Sequence, residues 1–316
     1  MNGDHARILI IGAGVNGSLC AEGLHNAGFQ VTVLARGERY EEIREQGIVI
    51  ENPFNQKRRI TPVPVINRLA ADDCYDYNLV IVRKNQVPDL LPMLAQNQSE
   101  NIVFLVNNPS GPQLFTDALG KERVLLGFVF GAGKREGSLI RAIGGAGPAL
   151  LSTPFGEIDG RITPRLTRLV GIMRQAGFRV EISTQISDYL ATHAALVAPF
   201  AHLLIRHQCD NYALARSSAD LYLLARAMRE ALSVLRANGF AIVPKSNAAF
   251  FGATPTFLQV ILFRLFLATR TAEVGGAWHC QQAPDEMRQL GIELIALVEQ
   301  SGLPAPAIRK LFATGL

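Results

Sequence analysis

The sequence predicts an α/β Rossmann-type doubly wound sheet followed by an all-helical C-terminal domain. Three observations carry that prediction. The chain opens on a strand, a glycine turn, a helix and a second strand; apolar runs and helical periods then alternate; beyond residue 183 only helical periods remain. The expected division is 1–183 for a dinucleotide-binding domain and 184–316 for a helical substrate or dimerisation domain.

Ile8-Leu9-Ile10-Ile11 suits a strand buried on both faces, as in a parallel sheet. It runs into Gly12-Ala13-Gly14-Val15-Asn16-Gly17, a G-x-G-x-x-G turn. Gly12 allows the tight turn, Gly14 lets a pyrophosphate approach the backbone, and Gly17 lets the helix pack closely on the strand. The helix pattern Leu19, Cys20, Gly23, Leu24 ends at Ala27-Gly28, and Gln30 to Ala35 reads as the second strand. Such a βαβ unit is the context that makes the glycines a dinucleotide site, with the helix N-terminus facing the anion.

The residues after the second strand select the dinucleotide. An NAD site carries Asp or Glu there for the ribose hydroxyls, an NADP site a cation for the 2′-phosphate. Here the chain reads Arg36-Gly37-Glu38-Arg39. Arg36 is the candidate 2′-phosphate ligand, because guanidinium pairs with phosphate oxygens in a planar fork. Arg39 is a possible second; a solvated surface arginine is its simpler reading.

Further along, 41–46 reads as a charged helix, and 47–50 with 60–63 as a short strand pair. Strands follow at 77–82, 101–106 and 124–130, with helices at 88–94 and 114–119 between them. Glycine-rich strands at 138–143 and 149–152 read as antiparallel additions to the same sheet. A helix at 165–176 and a last strand at 178–182 complete this half. Helical periods then cover 186–207, 218–238, 256–270, 286–301 and 307–313, with Gly239 and Gly302 as C-caps.

Composition narrows the class. A chain of 316 residues, 48% hydrophobic and 18% charged, suits a large-cored globular protein of two domains. A net charge of +4 is mild, and Lys57-Arg58-Arg59 lies between strands, so a solvated hairpin is expected there and no nucleic-acid partner. Cys20, Cys74, Cys209 and Cys280 form no metal spacing and fit reduced thiols in a cytoplasmic protein. The N-terminal apolar run, preceded by Asp4, is expected to be a strand rather than a leader. The 257–267 run contains Arg264 and is too short to span a membrane, so no membrane partner is expected. A homodimer contact through the helical domain and an intrachain core explain that run equally well.

Taken in order, these motifs resemble the ketopantoate reductase (2-dehydropantoate 2-reductase) family over nearly the whole length. The matches are the glycine turn, Leu34-Ala35-Arg36-Gly37, a V-K-x-x-Q segment at Val82-Arg83-Lys84-Asn85-Gln86, an N-G-x-G turn at Asn108-Pro109-Ser110-Gly111, and a G-x-x-x-P at Gly302 to Pro306. The resemblance implies NADPH as cofactor, bound by the glycine turn, Arg36, Arg83 and Asn108, and a 2-oxo acid as substrate. It puts the family's active-site glutamate at Glu286.

The chain departs from the family where a proton is delivered. The family's catalytic lysine falls on Tyr189 and its following asparagine on His193, while its serine and aspartate fall on Val274 and Trp278. Hydride transfer to a carbonyl creates an alkoxide, so a positioned acid is needed. Tyr189 and His193 share one helix face and are the candidate donors, with packing as the competing reading. His202, on an apolar face, reads as structural. The expected function is NADPH-dependent reduction of a small 2-oxo acid or related carbonyl. The alternative is a catalytically inactive NADP(H)-binding sensor or interaction protein.

Overall fold

The computed structural model describes residues 6–146 and 152–313. The strand expected at 149–152 lies, except for its last residue, outside the described residues, as does Asp4. The chain forms two compact units: residues up to Val106 with Pro112–Ile186, and Asn107–Gly111 with Ser187 onward.

In the first unit the strands are β1 (Arg7–Ile11), β2 (Gln30–Leu34), β3 (Ile48–Glu51), β4 (Arg58–Thr61), β5 (Val65–Ile66), β6 (Tyr77–Val80), β7 (Ile102–Phe104), β8 (Val124–Gly127), β9 (Gly131–Glu136), β10 (Leu139–Gly144), β11 (Thr153–Glu157) and β12 (Val180–Ile182). The helices between them are α1 (Val15–Asn26), α2 (Glu38–Gln46), α3 (Val87–Gln96), α4 (Gln113–Leu119) and α5 (Pro164–Gln175). The main sheet runs β12-β11-β8-β7-β6-β1-β2-β5. From β5 to β8 every pairing is parallel. Counted along the chain, these strands stand in the order 3-2-1-4-5-6, the doubly wound order whose ligand crevice opens where strand order reverses, between β1 and β6. Ile8, Leu9 and Ile10 of β1 are wholly buried, as a central parallel strand requires.

The glycine-rich region departs from expectation. Residues 139–144 do not join the main sheet; β10 pairs parallel with β3 and antiparallel with β9 in a separate sheet ordered β4-β3-β10-β9. The reason is visible in the side chains. Ile140 and Ala142 are buried while Arg141 between them is not, so β10 has one apolar face and lies over α1 rather than between two helical layers. The antiparallel addition to the main sheet is β11, buried at every residue and paired with β8.

The second unit is helical: α6 (Ile186–Arg206), α7 (Asn211–Arg216), α8 (Ser218–Ala237), α9 (Lys245–Ala253), α10 (Thr256–Leu267), α11 (Arg270–Ala272), α12 (Trp278–Gln282), α13 (Pro284–Ser301) and α14 (Pro306–Phe312), with a π-turn at Glu273–Ala277. Its core joins an alanine stripe of α6, including Ala191, Ala194, Ala198 and Ala201, to Leu224, Ala231 and Leu235 of α8 and Leu290 and Leu294 of α13. Among the described residues α6 is the one single helix long and apolar enough to cross a membrane, and 61% of its apolar window is buried within the protein; α9 and α10 reach that length only together, across a 119° bend. Asp210 and Ser217 cap α7 and α8 by accepting from backbone amides, and Gly302 ends α13 in the left-handed conformation.

Candidate functional site

The glycine turn is built as the pattern requires. Gly12 has φ +108°, and a Cβ there would collide with the Ile81 carbonyl just past β6. A Cβ at Gly17 would sit on the Gly12 carbonyl, so only glycine lets α1 approach the turn this closely. Gly14, the N-cap of α1, is the reverse: a Cβ there would meet nothing within 4 Å. Two glycines are thus demanded by the protein's own packing, and the third leaves space in front of the helix N-terminus. No acidic side chain occupies the first turn of α1. Its amide donors therefore face that space without a competing negative charge, which fits a pyrophosphate. Asn16 places an orphaned buried Oδ1 on the same turn.

The two arginines after β2 have different roles. Arg36 is exposed, and no hydrogen bond or ion pair engages its guanidinium among the described residues. Arg39 is buried, and four of its five N–H groups are engaged. Its Nε donates to the Ala13 carbonyl (3.1 Å), Nη1 to Glu42 Oε2 (3.0 Å) and the Ser138 carbonyl (3.2 Å), and Nη2 to Ser18 Oγ (3.3 Å). The reading of Arg39 as a solvated surface arginine is corrected by its burial, and those four N–H groups are turned onto protein acceptors instead of a 2′-phosphate. Arg83 begins the 3-10 turn after β6, its amide donating to Gln86 Oε1 (3.3 Å). Neighbouring Lys84 is buried, with its ammonium 5.0 Å from the centre of the Phe115 ring. The Lys57 to Arg59 hairpin is tied down by Arg59, which grips Glu22 through Nε (2.7 Å) and Nη2 (3.0 Å).

A second cluster lies wholly in the helical unit. Glu286, in the first turn of α13, is 3% exposed and accepts a hydrogen bond from Asn107 Nδ2 (3.0 Å). His279 Nε2 of α12 stands 3.8 Å from Glu286 Oε2, its side chain 44% exposed. Asn108 is fully buried, donating through Nδ2 to the Gly111 carbonyl (2.7 Å), which folds the 107–111 turn on itself. Ser110 donates to Glu293 of α13. Asn107 keeps a buried Oδ1 with no partner among the described residues, an acceptor aimed at nothing protein-made. Tyr189 and His193 lie one turn apart on α6, both half-buried.

His193 is not the cationic donor that its ordinary pKa suggests. Burial, reinforced by the charge of His279, lowers its pKa from 6.5 to about 4. The unfolded chain therefore binds this proton more readily than the folded one. Stability is complete above pH 6.5 and falls as pH drops toward 4, by up to about 3 kcal/mol. Urea unfolding at pH 7 and pH 4.5 is expected to show this loss in the wild type and a flatter response in His193→Asn. His202 is buried against the Phe312 ring in the helical core, as a structural histidine.

Residues 8–150 match the family described as ketopantoate reductase PanE/ApbA. That match spans 143 of the 316 residues. Among solved structures it is similar to 2-dehydropantoate 2-reductase from Geobacter metallireducens GS-15, at 20% identity and TM-score 0.77, covering 97% of this chain and 98% of that one. The PanE/ApbA family ketopantoate reductase from Ralstonia eutropha JMP134 matches at 20% identity and TM-score 0.76, over 97% and 96% of the two chains. D-mandelate dehydrogenase in its ternary structure with NADH and anilino(oxo)acetate matches at 14% identity and TM-score 0.77, again over 97% and 96%. At these identities the likeness is one of fold. No curated protein matches in sequence.

Within this ketopantoate reductase fold, two polar residues escaped the sequence reading. Asn107 was passed over for Asn108, yet it is the one that meets Glu286. His279 belongs to no motif and lies seven residues before Glu286, about 10 Å along the axis of a continuous helix; the break at Ala283, the N-cap of α13, brings the two together. A polar residue flanking a motif asparagine was the only available signal for the first, and nothing signalled the second.

Proposed function

We propose that this protein is an NADPH-dependent oxidoreductase that reduces a small 2-oxo acid or related carbonyl by hydride transfer, resembling 2-dehydropantoate 2-reductase. The observation that carries the reading is the open anion site at Gly14 combined with the free guanidinium of Arg36 at the end of β2. NADPH, when bound, supplies the hydride. The chain's own residues do the rest: the α1 amides hold the pyrophosphate and Arg36 the 2′-phosphate. Asn107 and Asn108 follow β7 in the chain and offer amides for cofactor and substrate. Glu286 orients Asn107 and His279. Tyr189, His193 and His279 are the candidate groups for proton handling, and His193 enters as a neutral base or hydrogen-bond partner. Titrating NADPH and NADH by calorimetry, then following NADPH oxidation with a panel of 2-oxo acids, tests the proposal. Tight NADPH binding with turnover supports it; a preference for NADH or an absence of turnover opposes it.

The replacement of the family's lysine by Tyr189 favours a second reading, an NADP(H)-binding sensor that has lost chemistry. It expects NADPH binding without oxidation by any carbonyl, and effects of Tyr189 substitutions on stability alone. Four free cysteines support a cytoplasmic location for either reading.

The apolar 257–266 face supports a homodimer. Phe257, Leu258, Ile261, Leu262, Leu265 and Phe266 of α10 are each 41–62% exposed. Together they present on the order of 500 Å² of apolar surface, in the upper part of the range found for the largest patch of a monomer and a substantial part of the roughly 800 Å² per partner that a standard interface buries. Sedimentation is expected to show a dimer for the wild type and a monomer for Leu265→Glu. A wild type that sediments as a monomer overturns this assignment.

A further inference from the structure

We propose that Arg39 is a positioning residue for the cofactor's pyrophosphate, acting through the Ala13–Gly14 peptide rather than touching a phosphate. The proposal rests on the dinucleotide reading given above and explains an arginine buried to 8% exposure on a short surface helix.

The geometry follows from one planar bond. In a trans peptide the carbonyl and the next residue's N–H point in opposite directions. Arg39 Nε donates to the Ala13 carbonyl at 3.1 Å, and Ser18 Oγ donates to the same oxygen at 3.4 Å. With that oxygen fixed on the protein side, the Gly14 N–H is turned the opposite way, at the N-cap of α1, where a Cβ on Gly14 would meet nothing within 4 Å. A cation on the carbonyl also polarises the peptide and strengthens its N–H as a donor to an anion. Arg39 is in turn fixed from three sides: by Glu42 in its own helix, by the Ser138 carbonyl between β9 and β10, and by Ser18 in α1. Arg135 of β9 shares the Glu42 carboxylate at 3.3 Å, so the small sheet is drawn into the same network. Lysine cannot reproduce these contacts, because they use the separate donors of a rigid fork.

The two neighbouring arginines therefore divide the cofactor. Arg36 reads the 2′-phosphate directly, and Arg39 serves the pyrophosphate at one remove. Fragments of the cofactor separate these roles: adenosine 2′-monophosphate carries no pyrophosphate, and adenosine 5′-diphosphate carries no 2′-phosphate. In calorimetric titrations of the full chain, Arg39→Lys and Arg39→Gln are expected to weaken NADPH and adenosine 5′-diphosphate by about tenfold and to leave adenosine 2′-monophosphate within about twofold. Arg36→Ala should show the converse. Ser18→Ala, a milder change to the same carbonyl, should weaken adenosine 5′-diphosphate by about two- to threefold, and it decides the matter if the Arg39 variants do not fold. Equal losses for both fragments in a folded Arg39 variant, or unchanged diphosphate affinity in Arg39→Gln or Ser18→Ala, overturn the proposal. A wild type that binds neither fragment nor NADPH overturns the dinucleotide reading itself, and the role of Arg39 with it.

Discussion

Arg36→Ala is expected to weaken NADPH binding by about 10- to 100-fold while leaving NADH within about twofold, collapsing the discrimination between the two cofactors. The magnitude is that of hydrogen bonds to a charged group, about 1.5–3 kcal/mol. The expectation is sharp because the guanidinium has no competing partner among the described residues, so its removal leaves the fold untouched. Its exposure adds a second signature. An exposed ion pair is screened by salt, so the NADPH preference of the wild type should shrink as ionic strength rises, and that of Arg36→Ala should stay flat. Parallel calorimetric titrations of both cofactors at two salt concentrations measure this; equal losses for NADPH and NADH would remove Arg36 from 2′-phosphate recognition.

Glu286→Gln is expected to lower kcat by about 10²- to 10³-fold with NADPH affinity unchanged, the size of effect typical of one positioned group in proton handling. The substitution keeps shape and an oxygen for Asn107 Nδ2, but it removes the charge that His279 faces at 3.8 Å. Glu286 also sits at the N-terminus of α13, where any carboxylate is favoured by the helix dipole. Kinetics and melting temperature together separate the two roles. A lost rate at unchanged stability assigns the carboxylate to the reaction, whereas a lower melting temperature at unchanged rate leaves it as a helix residue.

The first unit was legible because its determinants are local. A run such as Ile8 to Ile11 can be satisfied only by burial on both faces, and Gly17 is required by the Gly12 carbonyl five residues earlier. The glycine-rich strands were misplaced for the opposite reason. Sheet membership of β10 is decided by β3, some ninety residues earlier, and no local pattern names a distant partner. Helices α7 and α9 and the segment 270–282 were missed because they are short or poorly periodic, and Gly275-Gly276 within a π-turn reads as a loop. Arg39 looked like a surface arginine since Ala13, Ser18 and Ser138, which hold it on the protein side, become its neighbours only through tertiary packing. In the candidate cluster of the helical unit, motif positions pointed to Glu286 and Asn108. Long-range folding supplied Asn107 and His279.

The assignment of Asn107–Gly111 to the helical unit bears on how this protein can be taken apart. The polypeptide passes from one unit to the other at 106/107, returns at 111/112 and passes again at 186/187, so no single cut yields two intact modules. A fragment beginning at Ser187 would contain every helix from α7 onward and yet present Glu286 without the Asn107 amide and Glu293 without Ser110. The complementary fragment would keep the glycine turn while carrying a pentapeptide cut off from its partners. The acid cluster is thus a property of the uncut chain, and shuffling the helical half onto another nucleotide-binding half would have to bring the matching five-residue insert along with it.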